Sequence, residues 1–200
     1  MKSQILAAIP ILLLQWLTIS TSWAVSNYCN YNTPGYKVNQ YTINEDGTVY
    51  DNYSGLTWQR CIMGRTWNPD YHTCDRDDTS DLHYDWNTTL VNVKDYNAAE
   101  ILEGRNGTWR VPNIKELASI ISLNCVYPAI DTEIFPTYQS KLWSSTPSAT
   151  DFPSLLDGSG TPYIFENAIW NMNILTGKET RDERSTLLAV LLVRDTDDSP

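Results

Sequence analysis

Alternating apolar and polar positions predict short β-strands in the first third of the chain. Residues 41–60 read YTINEDGTVYDNYSGLTWQR, and the dipeptides Asp46-Gly47 and Ser54-Gly55 separate its β-favouring runs. Both dipeptides are typical of tight turns between antiparallel strands. The pattern therefore predicts strands near residues 41–44, 48–51 and 56–60.

Helical signals follow in the middle of the chain. Asn87 or Thr88 can cap a helix that runs to about Leu102, with Gly104 just past its end. The apolar positions of this segment are only moderately periodic. The sequence predicts a long helix here.

A second, better-marked helix follows the stretch WRVP at residues 109–112. Pro112 favours extended geometry in the residue before it, Asn113 can cap a helix, and Glu116 can complete a capping box. Apolar residues then recur at i, i+3, i+4 and i+7. The pattern predicts a strand-to-helix corner and a helix to about Leu123.

The last third returns to β-strand patterns. KLWSS at 141–145 is short and β-like, and IWNMNIL at 169–175 alternates apolar residues with Asn171 and Asn173. LLAVLLV at 187–193 is a continuous apolar run, which is typical of a central strand covered on both faces. The order of strands, two helices and strands predicts an α+β fold with the helices on one side of an antiparallel sheet.

Residues 62–86 are predicted to form a long irregular loop that carries Trp67, Tyr71 and His72. Long loops in compact domains are often functional, and exposed aromatic side chains commonly anchor sugars or protein partners. These three residues are therefore the candidate binding residues. The alternative is that the segment is a solvated loop without a binding role, whose aromatic rings pack beneath it.

The first residues resemble an export signal. An apolar segment, residues 5–17, follows Lys2, and Ser22-Trp23-Ala24 offers small residues at −3 and −1 of a cleavage site. A membrane-spanning helix needs about 20 apolar residues, which this segment does not reach. We expect a signal peptide at 1–24, one domain at 25–195, a frayed tail at 196–200, and a periplasmic, outer-surface or secreted location without membrane insertion.

Charge narrows the class of partner. The sequence has 24 acidic and 14 basic residues, which gives a formal net charge of −10. An acidic surface disfavours nucleic acids, anionic lipids and sulfated polysaccharides as long-range partners. The alternative is that the acidity only keeps an exported protein soluble.

The four cysteines predict disulfides. An even number of cysteines in an exported chain indicates two disulfides, with three possible connectivities. Cys61–Cys74 is the pairing that is local in sequence, and it leaves Cys29–Cys125. No two cysteines have close zinc-ligand spacing, so neither a metal site nor another cofactor is expected.

Signals for catalysis are weak. The sequence lacks a nucleophile elbow, a phosphate loop and a dinucleotide-binding fingerprint. His72 and His83 could act as a base and its partner, but histidines in an aromatic loop are more often packed or solvent-facing. We therefore expect a protein that is not an enzyme.

Six stretches along the chain form a recognisable set. They are DGTVYDNYSGLTWQRC (46–61), GRTWNPDYHTC (64–74), WRVPNIKELASI (109–120), LWSST (142–146), AIWNMNILTGK (168–178) and LLVRD (191–195). Together they resemble one domain family, that of the Lcl C-terminal domain, named for the C-terminal region of the Legionella collagen-like adhesin. Val111 stands where the family has leucine. The matches are ordered along nearly the whole predicted mature chain.

The resemblance implies structural roles for the recurring motif residues. These residues are Trp58, Trp109, Arg110, Pro112, Glu116, Trp143 and Trp170. Trp109 and Arg110 are interpreted in the first place as residues that stabilise the fold. A more distant similarity to C-type-lectin-like domains and formylglycine-generating enzymes concerns the fold alone. WNMN at 170–173 lacks the aspartate of a calcium–sugar site, and the enzymes' active-site cysteine pair has no clear counterpart.

The resemblance implies an exported, non-catalytic binding module of a bacterial surface or envelope protein, with adhesin-like recognition of a glycan or a surface protein. The sulfated glycosaminoglycans associated with the Legionella adhesin are not carried over, because this chain is acidic. The alternative is a structural or accessory subunit of a pilus or envelope assembly, with possible homo-oligomers. An envelope enzyme is a distant third alternative.

Overall fold

The computed structural model describes residues 28–29, 39–76, 82–105, 107–137, 141–148 and 167–196. Antiparallel sheets and two α-helices in these residues confirm the α+β class. The predicted signal peptide lies outside the described residues. Of the predicted tail, only Thr196 is described, and its hydroxyl donates to the carbonyl of Gly55 at 2.8 Å.

The described elements are short except for the first helix. The helices are α1 (Trp86–Leu102) and α2 (Ile114–Ser119). The strands are β1 (Tyr28–Cys29), β2 (Tyr41–Ile43), β3 (Thr48–Asp51), β4 (Leu56–Gln59), β5 (Arg65–Asn68), β6 (Thr73–Arg76), β7 (Cys125–Val126), β8 (Lys141–Pro147), β9 (Ala168–Asn173), β10 (Lys178–Glu183) and β11 (Val193–Asp195).

A four-stranded antiparallel sheet has the order β11-β4-β3-β2. In the turn before β3, the Asp46 carboxylate accepts a hydrogen bond from the N–H of Thr48 at 3.0 Å. Gly47 and Gly55 have φ values of 81° and 73°, in the left-handed region that glycine tolerates best. The turn residues therefore set the predicted strands of this region, which are confirmed to within one residue.

A three-stranded antiparallel sheet has the order β10-β9-β8. Strands β8 and β9 confirm the predictions near 141–145 and 169–175, whereas β10 was not predicted. The sequence of β10, KETRDE, has no apolar residue that would mark a strand. It lies at the edge of the sheet, where only one neighbouring strand is needed and polar side chains are tolerated.

The run at 187–193 is buried as predicted except for Leu187, which is 54% exposed, and it is not a central strand. Its residues from Ala189 to Val193 are fully buried, yet only Val193 belongs to a strand. Alternate side chains pack into two core clusters, one with Ala189 and Leu191 and the other with Val190 and Leu192. The segment is an extended connection between the clusters, and its carbonyls accept from residues such as Met63 and Trp143.

The prediction of an irregular loop at 62–86 is wrong in part. Residues 65–76 form the antiparallel hairpin β5-β6, in which Trp67 pairs with Cys74. Alternation is absent from the sequence of this segment, so the pairing is not visible in the pattern. The hairpin is held to the end of β4 by a disulfide between Cys61 and Cys74.

Each helix differs from its prediction at one end, and α1 ends at Leu102 as predicted. Helix α1 is capped by Asp85, whose carboxylate accepts from the N–H of Thr88 at 2.9 Å, so the predicted caps Asn87 and Thr88 are wrong. Helix α2 has the predicted capping box of Asn113 and Glu116. It ends at Ser119, short of the predicted Leu123, because Ile121 bridges to Ile130 in extended geometry.

The disulfides confirm the predicted pairing of all four cysteines. Cys61–Cys74 spans 13 residues, and Cys29–Cys125 spans 96 residues and joins β1 to β7. Two disulfides are consistent with an exported protein, since disulfides persist mainly in oxidising compartments.

Candidate binding surface

The β5-β6 hairpin brings the three candidate binding residues together. Its turn is held internally, because Oδ1 of Asn68 accepts from the N–H groups of Asp70 at 3.1 Å and Tyr71 at 3.3 Å. The Asp75 carboxylate accepts from the side chains of Asn68 and Thr73, and these hydrogen bonds lower its pKa. The turn therefore presents its side chains from an ordered backbone.

The candidate residues differ in exposure. Tyr71 is 76% exposed at the turn, and His72 is exposed with a left-handed φ of 53°. Trp67 is half-buried, and its ring centre lies 6.0 Å from that of His72 in an edge-on arrangement. Tyr71 is therefore the most accessible of the three, and Trp67 lies at the base of the hairpin.

A buried arginine lies against the base of the hairpin. Arg60 is 2% exposed, and its guanidinium carbon is 3.8 Å from the centre of the Trp67 ring. Its Nε donates to the carbonyl of Ile134 at 2.8 Å, and Nη2 donates to that of Glu133 at 2.6 Å. Burial lowers the pKa of this guanidinium, and Nη1 has no hydrogen-bond partner among the described residues.

Arg60 was not singled out from the sequence, although one signal for it exists. Trp58 and Arg60 are two residues apart at the end of β4 and both are buried, so the arginine occupies an inward position of the strand pattern. Gly47 also lies against the hairpin base, where a Cβ would collide with Trp67. Trp67 therefore packs against both the β2-β3 turn and the guanidinium.

The WRVP corner is built from buried and paired groups. Trp109 is 3% exposed, and Asn97 of α1 bonds both its N–H and its carbonyl, at 2.9 Å and 2.7 Å. Arg110 donates to both oxygens of Glu116, at 2.8 Å and 2.9 Å, and to Asp195 at 2.8 Å. These carboxylates, Glu116 first, raise the pKa of Arg110.

The other motif residues also lie in the scaffold. Trp58 and Trp143 are fully buried, and the indole N–H of Trp143 donates to the carbonyl of Tyr84 at 2.8 Å. The carbonyl of Pro112 accepts from the N–H of Ser145 of β8 at 2.7 Å. Trp170 is half-buried, with the Arg181 guanidinium 5.1 Å from its ring centre. The hydrogen bond between Pro112 and Ser145 therefore joins the WRVP corner to the three-stranded sheet.

The asparagines of the lectin-like stretch are engaged in local structure. The fully buried Asn171 donates to Asp182 at 2.9 Å and accepts from the hydroxyl of Thr180. Asn173 accepts from the N–H groups of the β9-β10 turn, at 3.0 Å and 3.2 Å. Within the described residues, no three His, Cys, Asp or Glu side chains are grouped closely enough to hold a metal ion.

No helix among the described residues has the length and apolar character needed to cross a membrane. A search of curated proteins finds no match to this chain. A family model, that of the Lcl C-terminal domain, matches residues 47–194. This range contains the hairpin, the WRVP corner and most of both sheets. The chain therefore belongs to the Lcl C-terminal domain family.

Proposed function

We propose that this protein is an exported, non-catalytic binding module that recognises a glycan or a surface protein through the tip of the β5-β6 hairpin. The observation that carries the proposal is the 76% exposure of Tyr71 on a hairpin fixed by a disulfide. An ordered contact loop loses little conformational entropy on binding. Membership of a family named for an adhesin supports the same function.

The chemistry of the hairpin favours an uncharged ligand. Its charged side chains are two arginines and two aspartates, at positions 65, 76, 70 and 75, so neither sign dominates. The protein as a whole is acidic, which disfavours sulfated sugars. An exposed tyrosine offers a ring that stacks on a sugar and a hydroxyl that donates or accepts a hydrogen bond.

Within this proposal, Trp67 and His72 mainly stabilise the hairpin, and Tyr71 makes the main contact with the ligand. The half-buried Trp67 ring already contacts the guanidinium of Arg60, and His72 lies edge-on to the same ring. Their replacement would disturb the hairpin as well as the contact. Tyr71 is the residue whose removal tests binding with the smallest change to the fold.

A glycan array tests the proposal, using the purified protein with both disulfides intact, first with calcium and then with a chelator. A reproducible hit that Tyr71→Ala weakens by about tenfold would support it, since such a loss is typical of an aromatic anchor. Tyr53→Ala is the matched control, because Tyr53 is 62% exposed in the turn that follows β3, at the end of that strand opposite the β2-β3 turn. A blank array with folded protein would contradict glycan recognition. An equal loss in both variants would contradict the hairpin site.

The outer face of α1 favours a second candidate, an assembly subunit that associates with a second copy of this chain. Four exposed apolar side chains lie within an arc of about 120° on this helix, at 100° per residue. They are Leu90, Val91, Ile101 and Leu102. Exposed apolar surface of this kind often marks an interface.

Sedimentation velocity over a range of concentrations tests this candidate. Association that Leu102→Lys abolishes would support it, because Leu102 is 89% exposed and its loss leaves the core intact. Leu123→Lys is the control, since Leu123 is 96% exposed outside the helix. A strictly monomeric protein would contradict it.

A further inference from the structure

A cleft of about 640 Å³ lies between the start of β2, the end of α2 and the turn that joins β9 to β10. This volume is in the range of about 300–1,000 Å³ that is usual for small-ligand sites. The residues that define its chemistry are Gln40, Tyr41, Ile120, Asp131, Met172 and Glu179. None of them belongs to the hairpin.

The floor of the cleft is apolar and belongs to the buried core. Ile120 is 3% exposed and Met172 is 1% exposed, and both belong to the main core cluster. The Tyr41 ring packs edge-on against Phe135, with ring centres 5.6 Å apart. Such a floor suits an aliphatic chain, because burial of each methylene group contributes about 0.8 kcal/mol.

The charge of the cleft has one sign. Asp131 and Glu179 are acidic, and no lysine, arginine or histidine is among the residues that line it. Neither carboxylate forms an ion pair within the described part of the chain. Asp131 accepts from the N–H of Glu133 at 3.0 Å.

The carboxylate of Asp131 is incompletely solvated. Burial raises its pKa, which means that the surroundings disfavour its ionised form. The pKa of Tyr41 is also raised, first by burial and then by the charges of Asp51 and Asp131. A cation placed beside Asp131 would offset this cost, whereas an anion would increase it.

We propose that this cleft binds an aliphatic ammonium group, with its carbon chain on Ile120 and Met172 and its charge beside Asp131 and Glu179. The group is carried either by a free amine or by a lysine side chain of a partner protein. Both sources supply the same features, which are an apolar stem and a compact charge with three hydrogen-bond donors. This site is separate from the contact proposed at the hairpin.

An NMR titration of the purified, isotope-labelled protein tests the proposal with three probes. They are butylamine, Nα-acetyl-lysine amide, and Nα-acetyl-norleucine amide as an uncharged control. We expect saturable shifts in the cleft residues with the amines and at least tenfold weaker binding of the norleucine derivative. Tighter binding of butylamine than of the lysine derivative would indicate a free amine as ligand. Binding of the lysine derivative alone would indicate a side chain of a partner.

Variants distinguish charge recognition from non-specific attraction to an acidic protein. Glu179→Gln and Asp131→Asn are each expected to weaken amine binding by about three- to tenfold. Glu183→Gln is the matched control on the same strand and is expected to leave binding unchanged, because Glu183 does not line the cleft. Three results would overturn the proposal: no saturable shift, equal binding of the norleucine derivative, or equal effects of the glutamate variants at 179 and 183.

Discussion

The guanidinium of Arg60 lies 3.8 Å from the ring centre of Trp67 and at the same time donates to the carbonyls of Glu133 and Ile134. One buried side chain therefore joins the end of β4, the hairpin and the turn at residues 131–135. The position of the hairpin depends on this arginine as well as on the disulfide. Its charge is balanced by peptide carbonyls and an aromatic ring.

Replacement of Arg60 by methionine is expected to destabilise the fold by about 2–4 kcal/mol. Methionine fills much of the same volume but leaves two carbonyls without their donor. The free energy of unfolding in urea measures the effect. Arg181→Met is the control, because Arg181 lies 5.1 Å from the Trp170 ring on an edge strand. Its cost is expected to stay below about 1 kcal/mol, and equal costs would contradict a special role for Arg60.

The two disulfides are expected to contribute unequally to stability. Closing a loop of about 13 residues is worth about 3 kcal/mol by chain entropy, and closing one of about 96 residues is worth about 4.7 kcal/mol. The double variant Cys29→Ala, Cys125→Ala should therefore unfold at a lower urea concentration than the double variant Cys61→Ala, Cys74→Ala. Only the loss of the Cys61–Cys74 disulfide should also weaken the binding of a ligand at Tyr71. The reverse order of stability would contradict the entropic account.

Local sequence signals predicted those parts of the fold in which the determining groups are close along the chain. Asn113 and Glu116 are three residues apart, and they form the capping box that their spacing indicates. Gly47 and Gly55 occupy the turns, where backbone geometry selects the residue type. The cap of α1 was misplaced because Asp85, Asn87 and Thr88 are all good caps, and only tertiary packing selects among them.

The failures occur where distant partners decide the structure. The run at 187–193 has the composition of a strand, but its hydrogen-bond donors come from several separate segments. The hairpin sequence does not alternate between apolar and polar residues, because no continuous apolar face holds the hairpin to the domain. A disulfide and the Arg60–Trp67 contact hold it instead. The three candidate residues were found by composition, whereas Arg60 and the acidic cleft require the three-dimensional structure.

Glu116 is expected to stabilise the WRVP corner more than Asp195 does. Its Oε2 accepts from the N–H of Asn113 at 2.7 Å and from Arg110 at 2.8 Å, so the capping box and the ion pair share it. Glu116→Gln should cost about 1–2 kcal/mol. Asp195→Asn should cost less than about 0.5 kcal/mol, because that side chain is 78% exposed. Thermal unfolding of both variants at low and high salt would contradict this order if Asp195→Asn were the more damaging.

The stability contributed by Asp131 is expected to increase as the pH falls. Burial raises its pKa in the folded state above the value of about 3.9 in the unfolded chain. Between these two pKa values the folded state binds more protons than the unfolded state, so acidification favours folding at this group. Carboxylates with lowered pKa, such as Asp75 and Asp85, act in the opposite direction.

Comparison with Asp131→Asn isolates this group, because the other carboxylates are common to both proteins. The free energy of unfolding of the wild type, minus that of the variant, should become more favourable to the wild type as the pH falls from 7 towards 4. Urea titrations at several pH values measure this difference. A constant difference would mean that the Asp131 carboxylate is fully solvated, and it would also remove the incomplete solvation on which the affinity of the cleft for an ammonium group depends.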